Sequence, residues 1–171
     1  NFSPQWELTA SYRHETKNGT KPIGVVSTLS TFESTLILPD PVDTSTDQYN
    51  LGLNYTGDKG FAQAAFHGAL FRNKVNSLTW QDPSNLAASS TISSAPSNQF
   101  HQLNLTGGYN FSPATKLVMN GSYGRNTQNA GFLTDPQLPL GIPQPSLNGV
   151  VVTEDFNLKL TARPLKGLNL A

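Results

Sequence analysis

Apolar residues in this chain recur at every second position, over stretches of about ten residues, and a two-residue period is the period of a strand with two different faces. Trp6, Leu8, Ala10 and Tyr12 alternate with Glu7, Thr9, Ser11 and Arg13. Tyr49, Leu51, Leu53 and Tyr55 alternate with Asn50, Gly52 and Asn54, and Ala62, Ala64, Phe66, Gly68 and Leu70 with Gln63, Ala65, His67 and Ala69. The pattern returns with Leu103, Leu105, Gly107, Tyr109 and Phe111 against Gln102, Asn104, Thr106, Gly108 and Asn110, then with Leu117, Met119, Gly121 and Tyr123 against Asn120 and Ser122. Phe156, Leu158, Leu160 and Ala162 oppose Asp155, Asn157, Lys159 and Thr161, and a seventh strand begins near Leu168. Helical periodicity is weak, and no apolar run approaches the roughly 20 residues of a membrane-crossing helix. If such a chain enters a bilayer, it does so as a barrel.

Connections between the strands are of two kinds. Tight turns recur near residues 4, 58, 114 and 165, and Asn1-Phe2-Ser3-Pro4 reappears as Asn110-Phe111-Ser112-Pro113. Each unit is thus a strand, a long connection, a returning strand and a short turn. Gly19, Gly57 and Gly60 read as turn glycines. The long connections, expected as loops at about 17–48, 73–99 and 126–152, hold most of the prolines, among them Pro22, Pro39, Pro41, Pro83, Pro96, Pro136, Pro139, Pro143 and Pro145. Loops of that length are unusual in compact soluble domains and ordinary on one side of an outer-membrane barrel.

Aromatic placement fits the same picture. Trp6, Tyr55, Tyr109 and Phe111 lie at the short-turn ends of their strands, and Tyr12, Tyr49, Phe66, Tyr123 and Phe156 nearer the long connections, all on the apolar face. Two lipid-facing aromatic girdles around an aliphatic band suit a bilayer. Charge is scarce, at 13% of residues with a net charge of zero, against roughly 25% charged in typical soluble domains. Neutrality without a Lys/Arg cluster gives no reason to expect nucleic acid. With no cysteine, disulfides, thiolate metal sites and covalent haem attachment through CxxCH are excluded for this stretch. The expected fold is all-β: an antiparallel up-and-down transmembrane β-barrel fragment of about seven strands, with residues 1–171 forming one partial barrel segment. Seven strands close no ordinary barrel, so the targeting sequence and the remaining strands are expected elsewhere. A soluble β-sandwich is the competing architecture, since its strands also alternate.

Several segments resemble the MtrB/PioB family of decahaem-associated outer-membrane proteins. They are Trp6-Glu7-Leu8-Thr9-Ala10-Ser11-Tyr12-Arg13-His14-Glu15, Leu38-Pro39-Asp40-Pro41-Val42-Asp43 and Tyr55-Thr56-Gly57-Asp58-Lys59-Gly60, then Leu78-Thr79-Trp80-Gln81-Asp82-Pro83, Asn98-Gln99-Phe100-His101-Gln102-Leu103 and Gly107-Gly108-Tyr109-Asn110-Phe111-Ser112-Pro113. The resemblance implies a large barrel in the bacterial outer membrane, of which this is a portion. It implies a barrel that sheathes a periplasmic multihaem c-type cytochrome, with a second cytochrome at the cell surface as a further partner. Transmembrane electron transfer of that kind serves metal reduction or iron oxidation. The barrel itself would be no enzyme and would bind no cofactor, the haem belonging to the cytochrome. Lumen-facing candidates for contact with it are Asn50, Gly52, Asn54, Gln63, Ala65, His67, Asn104, Thr106, Gly108, Asn120 and Asn157. The small ones would allow close approach and the amides could hydrogen-bond directly or through water. A general diffusion porin would have a similar inner face, and a soluble β-rich binding or adhesion module is the second alternative.

Other residues invite chemistry without forming a motif. His14, His67 and His101 are candidate haem ligands only in isolation; a polar rim or lumen role suits them better. His14 and His101 share the parity of the apolar face, whereas His67 falls on the polar one. His14-Glu15 lacks the second histidine of a zinc-protease helix. Asp40, Asp43 and Asp47 could together offer oxygen ligands to Ca²⁺, although two prolines and the lack of EF-hand spacing make a solvated loop the better reading. Glu7, Arg13, Asp155, Lys159 and Arg163 are expected inward and paired across neighbouring strands. Asn54-Tyr55-Thr56 and Asn104-Leu105-Thr106 lie within strands and read as compositional rather than as glycosylation sites.

Overall fold

The computed structural model describes residues 4–27, 34–82, 85–133, 144–165 and 168–170. Asn1, Phe2 and Ser3 of the first repeat, part of the turn after residue 165, and Pro83, Pro136, Pro139 and Pro143 lie outside the described residues. Nine strands appear among those described: β1 (Trp6–Ser27), β2 (Ser34–Thr56), β3 (Gly60–Asn73), β4 (Ser77–Asp82), β5 (Asn85–Ser93), β6 (Asn98–Ser112), β7 (Thr115–Gln128), β8 (Gly149–Leu165) and β9 (Leu168–Leu170). Seven form one antiparallel sheet in the order β1-β2-β3-β6-β7-β8-β9, and β4 with β5 makes a separate hairpin. Each strand of the large sheet lies beside its neighbour in the chain, apart from the inserted hairpin, which is up-and-down connectivity. The sheet does not close on itself.

Alternation forms these strands because the pairing register keeps parity across the whole sheet. Leu8, Leu53, Ala64, Leu105, Gly121 and Phe156 stand in one row, and Glu7, Asn54, Gln63, Thr106, Asn120 and Asn157 in an adjacent row on the opposite face. A slip of one residue at any strand would exchange the faces. Turn chemistry holds the register at the short ends. The amide of Gly57 donates to the carbonyl of Gly60 at 2.8 Å, and the amide of Ala114 donates to the Ser112 hydroxyl at 3.2 Å.

The expected loop at 17–48 is corrected by the structure. β1 and β2 pair without interruption from Trp6↔Tyr55 to Ser27↔Ser34. Gly19 is therefore no turn residue; it sits within β1 opposite Val42, at φ 153°, where a side chain is disfavoured. Three prolines are tolerated here for a reason of hydrogen-bond phase. Thr56 donates its amide to Gln5, so odd residues of β1 bond to even residues of β2. Pro22, Pro39 and Pro41 all occupy the other phase, whose amides point away from the partner strand. β3 stops pairing at Asn73↔Thr44, so beyond it those positions face open edges, where the missing N–H costs nothing and blocks edge-to-edge association. The 73–99 connection likewise contains the β4–β5 hairpin. The third connection is closer to expectation: β7 ends at Gln128 and β8 starts at Gly149, with a Gly131↔Ser146 bridge between them.

No buried core separates two layers. Val25 is the lone buried hydrophobic among the described residues, while Leu51, Leu103 and Leu158 remain 50%, 40% and 57% exposed. A soluble sandwich would have covered these three against a second sheet. Among the described residues no helix is long and apolar enough to cross a membrane.

Candidate functional site: the two faces of the sheet

The middle of the polar face is a ladder of mostly uncharged polar side chains. Asn50 Nδ2 donates to the Ser11 hydroxyl at 3.0 Å, its Oδ1 lies 2.6 Å from His67 Nδ1, and Asn54 Nδ2 donates to Glu7 at 3.2 Å. Gly52, Ala65 and Asn104 share one row, and Asn54, Gln63, Thr106, Asn120 and Asn157 another. The candidates named from sequence are thus brought together on one surface. The glycines, however, leave less room than their size suggests. Space above Gly108 is taken by the Phe61 ring and that above Gly52 by the Thr9 hydroxyl. Alternation in sequence marked Ala62 but passed over Phe61, which has the opposite parity. Phe100 was missed in the same way; it lies beside His67, ring centroids 6.0 Å apart.

The apolar face carries the aromatic rows. Trp6 and Tyr55 pack at 4.8 Å between ring centroids and Tyr109 and Phe111 at 5.0 Å. Tyr49, Phe66 and His101 form a second group, with centroids 6.0–6.1 Å apart and Tyr49 Oη 3.1 Å from His101 Nδ1. The Tyr49 ring lies over Gly68, where a Cβ would collide with it.

These rows are staggered. The outer aromatic is Tyr12 on β1 and Phe156 on β8, and Phe156 is level by register with Leu8, four residues short of Tyr12. Four residues are about 13 Å of strand, gained over five strand spacings of about 4.8 Å. Aromatics at one common height therefore require strands tilted by about 30°, close to the tilt of membrane barrels.

Past the Tyr12–Tyr49 row lies a polar cluster. Asp47 accepts hydrogen bonds from Tyr12 Oη at 2.6 Å and Arg72 Nη1 at 2.8 Å and lies 2.7 Å from His14 Nδ1. Hydrogen bonds from Tyr12 and His14, aided by the charges of His14 and Arg72, hold its carboxyl below the ordinary range. Lys74 pairs with Asp43 at 3.0 Å and Lys21 with Asp40 at 3.4 Å. Asp40, Asp43 and Asp47 do not converge, and no metal-binding group of side chains exists among the described residues. Arg13 pairs with Glu15 on its own strand, which corrects the expectation of a cross-strand partner.

An exposed apolar band bounded by aromatics, a polar opposite face and a tilted up-and-down sheet together define an outer-membrane β-barrel protein. The chain matches, over residues 1–171, the family described as "Putative outer membrane beta-barrel porin, MtrB/PioB", and it belongs to that family. It is 28% identical over 170 residues to "Outer membrane protein MtrB" of Shewanella baltica (strain OS185), a match covering 97% of this chain and 24% of that protein. The chain therefore spans about a quarter of that relative.

Proposed function

We propose that this chain is part of a barrel whose lumen sheathes a periplasmic multihaem c-type cytochrome, so that electrons cross the outer membrane from haem to haem. In this reading the apolar face touches lipid, with Trp6, Tyr55, Tyr109 and Phe111 at the periplasmic headgroups and Tyr12, Tyr49, Phe66, Tyr123 and Phe156 at the outer ones. The polar face looks inward. The carrying observation is the composition of its middle rows, Asn54, Gln63, Thr106, Asn120 and Asn157 with Gly52, Ala65, Asn104 and Ser122, which hold one carboxylate each, Glu7 on β1 and Asp155 on β8. Such a surface is wet yet carries little charge, and it can lie against another protein while stranding few buried ions. Hydrogen bonds and bridging waters from Asn50, Asn54 and His67 then hold the partner. The chain supplies no haem ligand and no catalytic group in this role. Its contribution is to insulate, position and dock.

Beyond β3, the β1–β2 ribbon continues for ten residue pairs, from Asn18↔Asp43 to Ser27↔Ser34, about 30 Å of strand. In this reading it reaches towards a partner at the cell surface. A diffusion porin is the second reading, supported by the wording of the family description and by the same polar face. The two separate experimentally. Full-length protein purified from cells that also produce its multihaem cytochrome should carry haem absorbance in a fixed ratio and conduct ions poorly in planar bilayers. Haem-free protein with large steady conductance would establish the porin instead.

A further inference from the structure

The two ends of the polar face treat charge differently. At the long-connection end and on the ribbon, Arg13, Lys17 and Lys21 each pair with a carboxylate at 2.8–3.4 Å, as Arg72 and Lys74 do on the opposite face. At the short-turn end, Lys59, Lys116, Lys159 and Arg163 have no ion-pair partner among the described residues. Register brings them together. Lys59, Asn110, Lys116 and Thr161 form a single row: the Lys59 carbonyl accepts the Asn110 amide at 2.7 Å, Asn110 pairs with Lys116 and Lys116 with Thr161. Lys159 and Arg163 are two residues either side of Thr161, hence diagonal neighbours of Lys116, about 7–8 Å away. Lys59, Lys116 and Arg163 line an open cleft of about 770 Å³.

Few acids offset this group. Asp58 adjoins Lys59 in the turn, and Asp155 stands four residues from Lys159, about 13 Å along β8. Like charges at diagonal spacing repel one another, so the arrangement is costly unless an anionic surface faces it. Short turns of outer-membrane barrels lie in the periplasm, and these four residues lie on the polar face, away from lipid headgroups.

We infer that Lys59, Lys116, Lys159 and Arg163 form a basic periplasmic rim that receives an acidic protein surface as it enters the lumen. The inference rests on the sheath reading and identifies the part of the barrel that captures the cytochrome: carboxylates, including exposed haem propionates, meet the rim first and are steered inward. Long-range attraction of this kind raises association rates by roughly 10- to 1000-fold at low salt and fades as salt screens it.

The test uses full-length protein in nanodiscs, with fluorescent poly-L-glutamate and the periplasmic multihaem cytochrome as separate probes. The expected result is that both bind at low salt, that Lys59→Gln/Lys116→Gln/Lys159→Gln/Arg163→Gln slows association of each by about tenfold or more, and that about 1 M salt abolishes the difference. Arg125→Gln, at the far end of β7, should leave both rates unchanged. Equal rates and equal salt dependence for the quadruple variant and wild type would overturn the rim. Poly-L-glutamate held through these residues by a wild type that never retains the cytochrome would leave the rim standing as an acidic-surface site and overturn the sheath reading instead. Folding of the variant is verified by heat-modifiable migration; if it does not fold, Lys59→Gln/Arg163→Gln, at a turn and a strand end, carries the same comparison with a smaller expected slowing.

Discussion

Neighbouring residues on β6 provide a direct test of which face meets lipid. Leu105 lies on the apolar face, 50% exposed, and Asn104 on the polar one, paired with Ala65 and Ser122. Leu105 is four residues from Tyr109, about 13 Å along the strand and about 12 Å in depth at a tilt near 30°. An apolar band about 25 Å tall places it near the bilayer midplane. Arginine there costs about 2–4 kcal/mol, while near the interface the cost falls to about 0–1 kcal/mol. Leu105→Arg should therefore lower the folding constant of the full-length protein in phospholipid vesicles by roughly 30- to 1000-fold, read from reversible denaturant unfolding. Leu117→Arg, level with Tyr109 by register, should cost under about 1 kcal/mol. Asn104→Arg, one position away but facing water or a partner, should also cost little. Equal penalties at 104 and 105, or a larger one at 104, would refute the facial assignment and with it the lumen.

Gly68→Ala drives a methyl group into the Tyr49 ring, displacing it from His101 and Phe66; losing the hydrogen bond and the ring contact should cost about 1–2 kcal/mol in the same unfolding assay, and unchanged stability would show that the ring has another place to go. Asp47 lies beyond the membrane-spanning rows and has a folded pKa below its unfolded one. Its contribution is therefore complete above the ordinary carboxylate range and is lost as pH falls through the depressed folded value. Asp47→Asn should flatten the acid limb of stability below roughly pH 5; an acid limb identical to wild type would mean that the cluster does not act on folding. Excising residues 20–41 removes ribbon that no third strand pairs and should leave a heat-modifiable barrel, whereas loss of the folded band would show that the ribbon is needed to assemble the sheet.

What the sequence disclosed and what it hid divide along a physical line. The faces of β2, β3, β6, β7 and β8 follow from alternation, since parity is a local property that survives any pairing partner. Turns such as 57–60 follow from their glycines and Asp58. Strand length beyond the aromatic rows was hidden because prolines at 22, 39 and 41 read as loop signals, and their harmlessness depends on hydrogen-bond phase in a pairing not yet known. A shared parity was nonetheless visible: Pro22 faces Pro39, and Pro41 falls two residues on. The polar-face aromatics Phe61 and Phe100 were overshadowed by the stronger pattern beside them. Least legible was the basic rim, whose members are scattered from 59 to 163 in sequence and meet only through register across β3, β6, β7 and β8.

Hydrogen-bond phase also bears on how this sheet lives in a membrane. Odd residues of β1 bond to β2, so Trp6, Leu8, Ala10 and Tyr12 turn their amides and carbonyls to the sheet's free edge. That is four donors and four acceptors within the apolar band, and each left unpaired in hydrocarbon costs several kcal/mol. No arrangement of the side chains described here could offset such a sum. The band and the edge are compatible only if another strand covers β1, and the Shewanella relative, of which this chain matches 24%, has the length to provide it. Closure brings the polar face round on itself and converts a row such as Asn54, Gln63, Thr106, Asn120 and Asn157 into an arc of an enclosed wall. The same requirement that keeps backbone groups out of lipid thus encloses the polar face, the condition on which the proposed sheath depends.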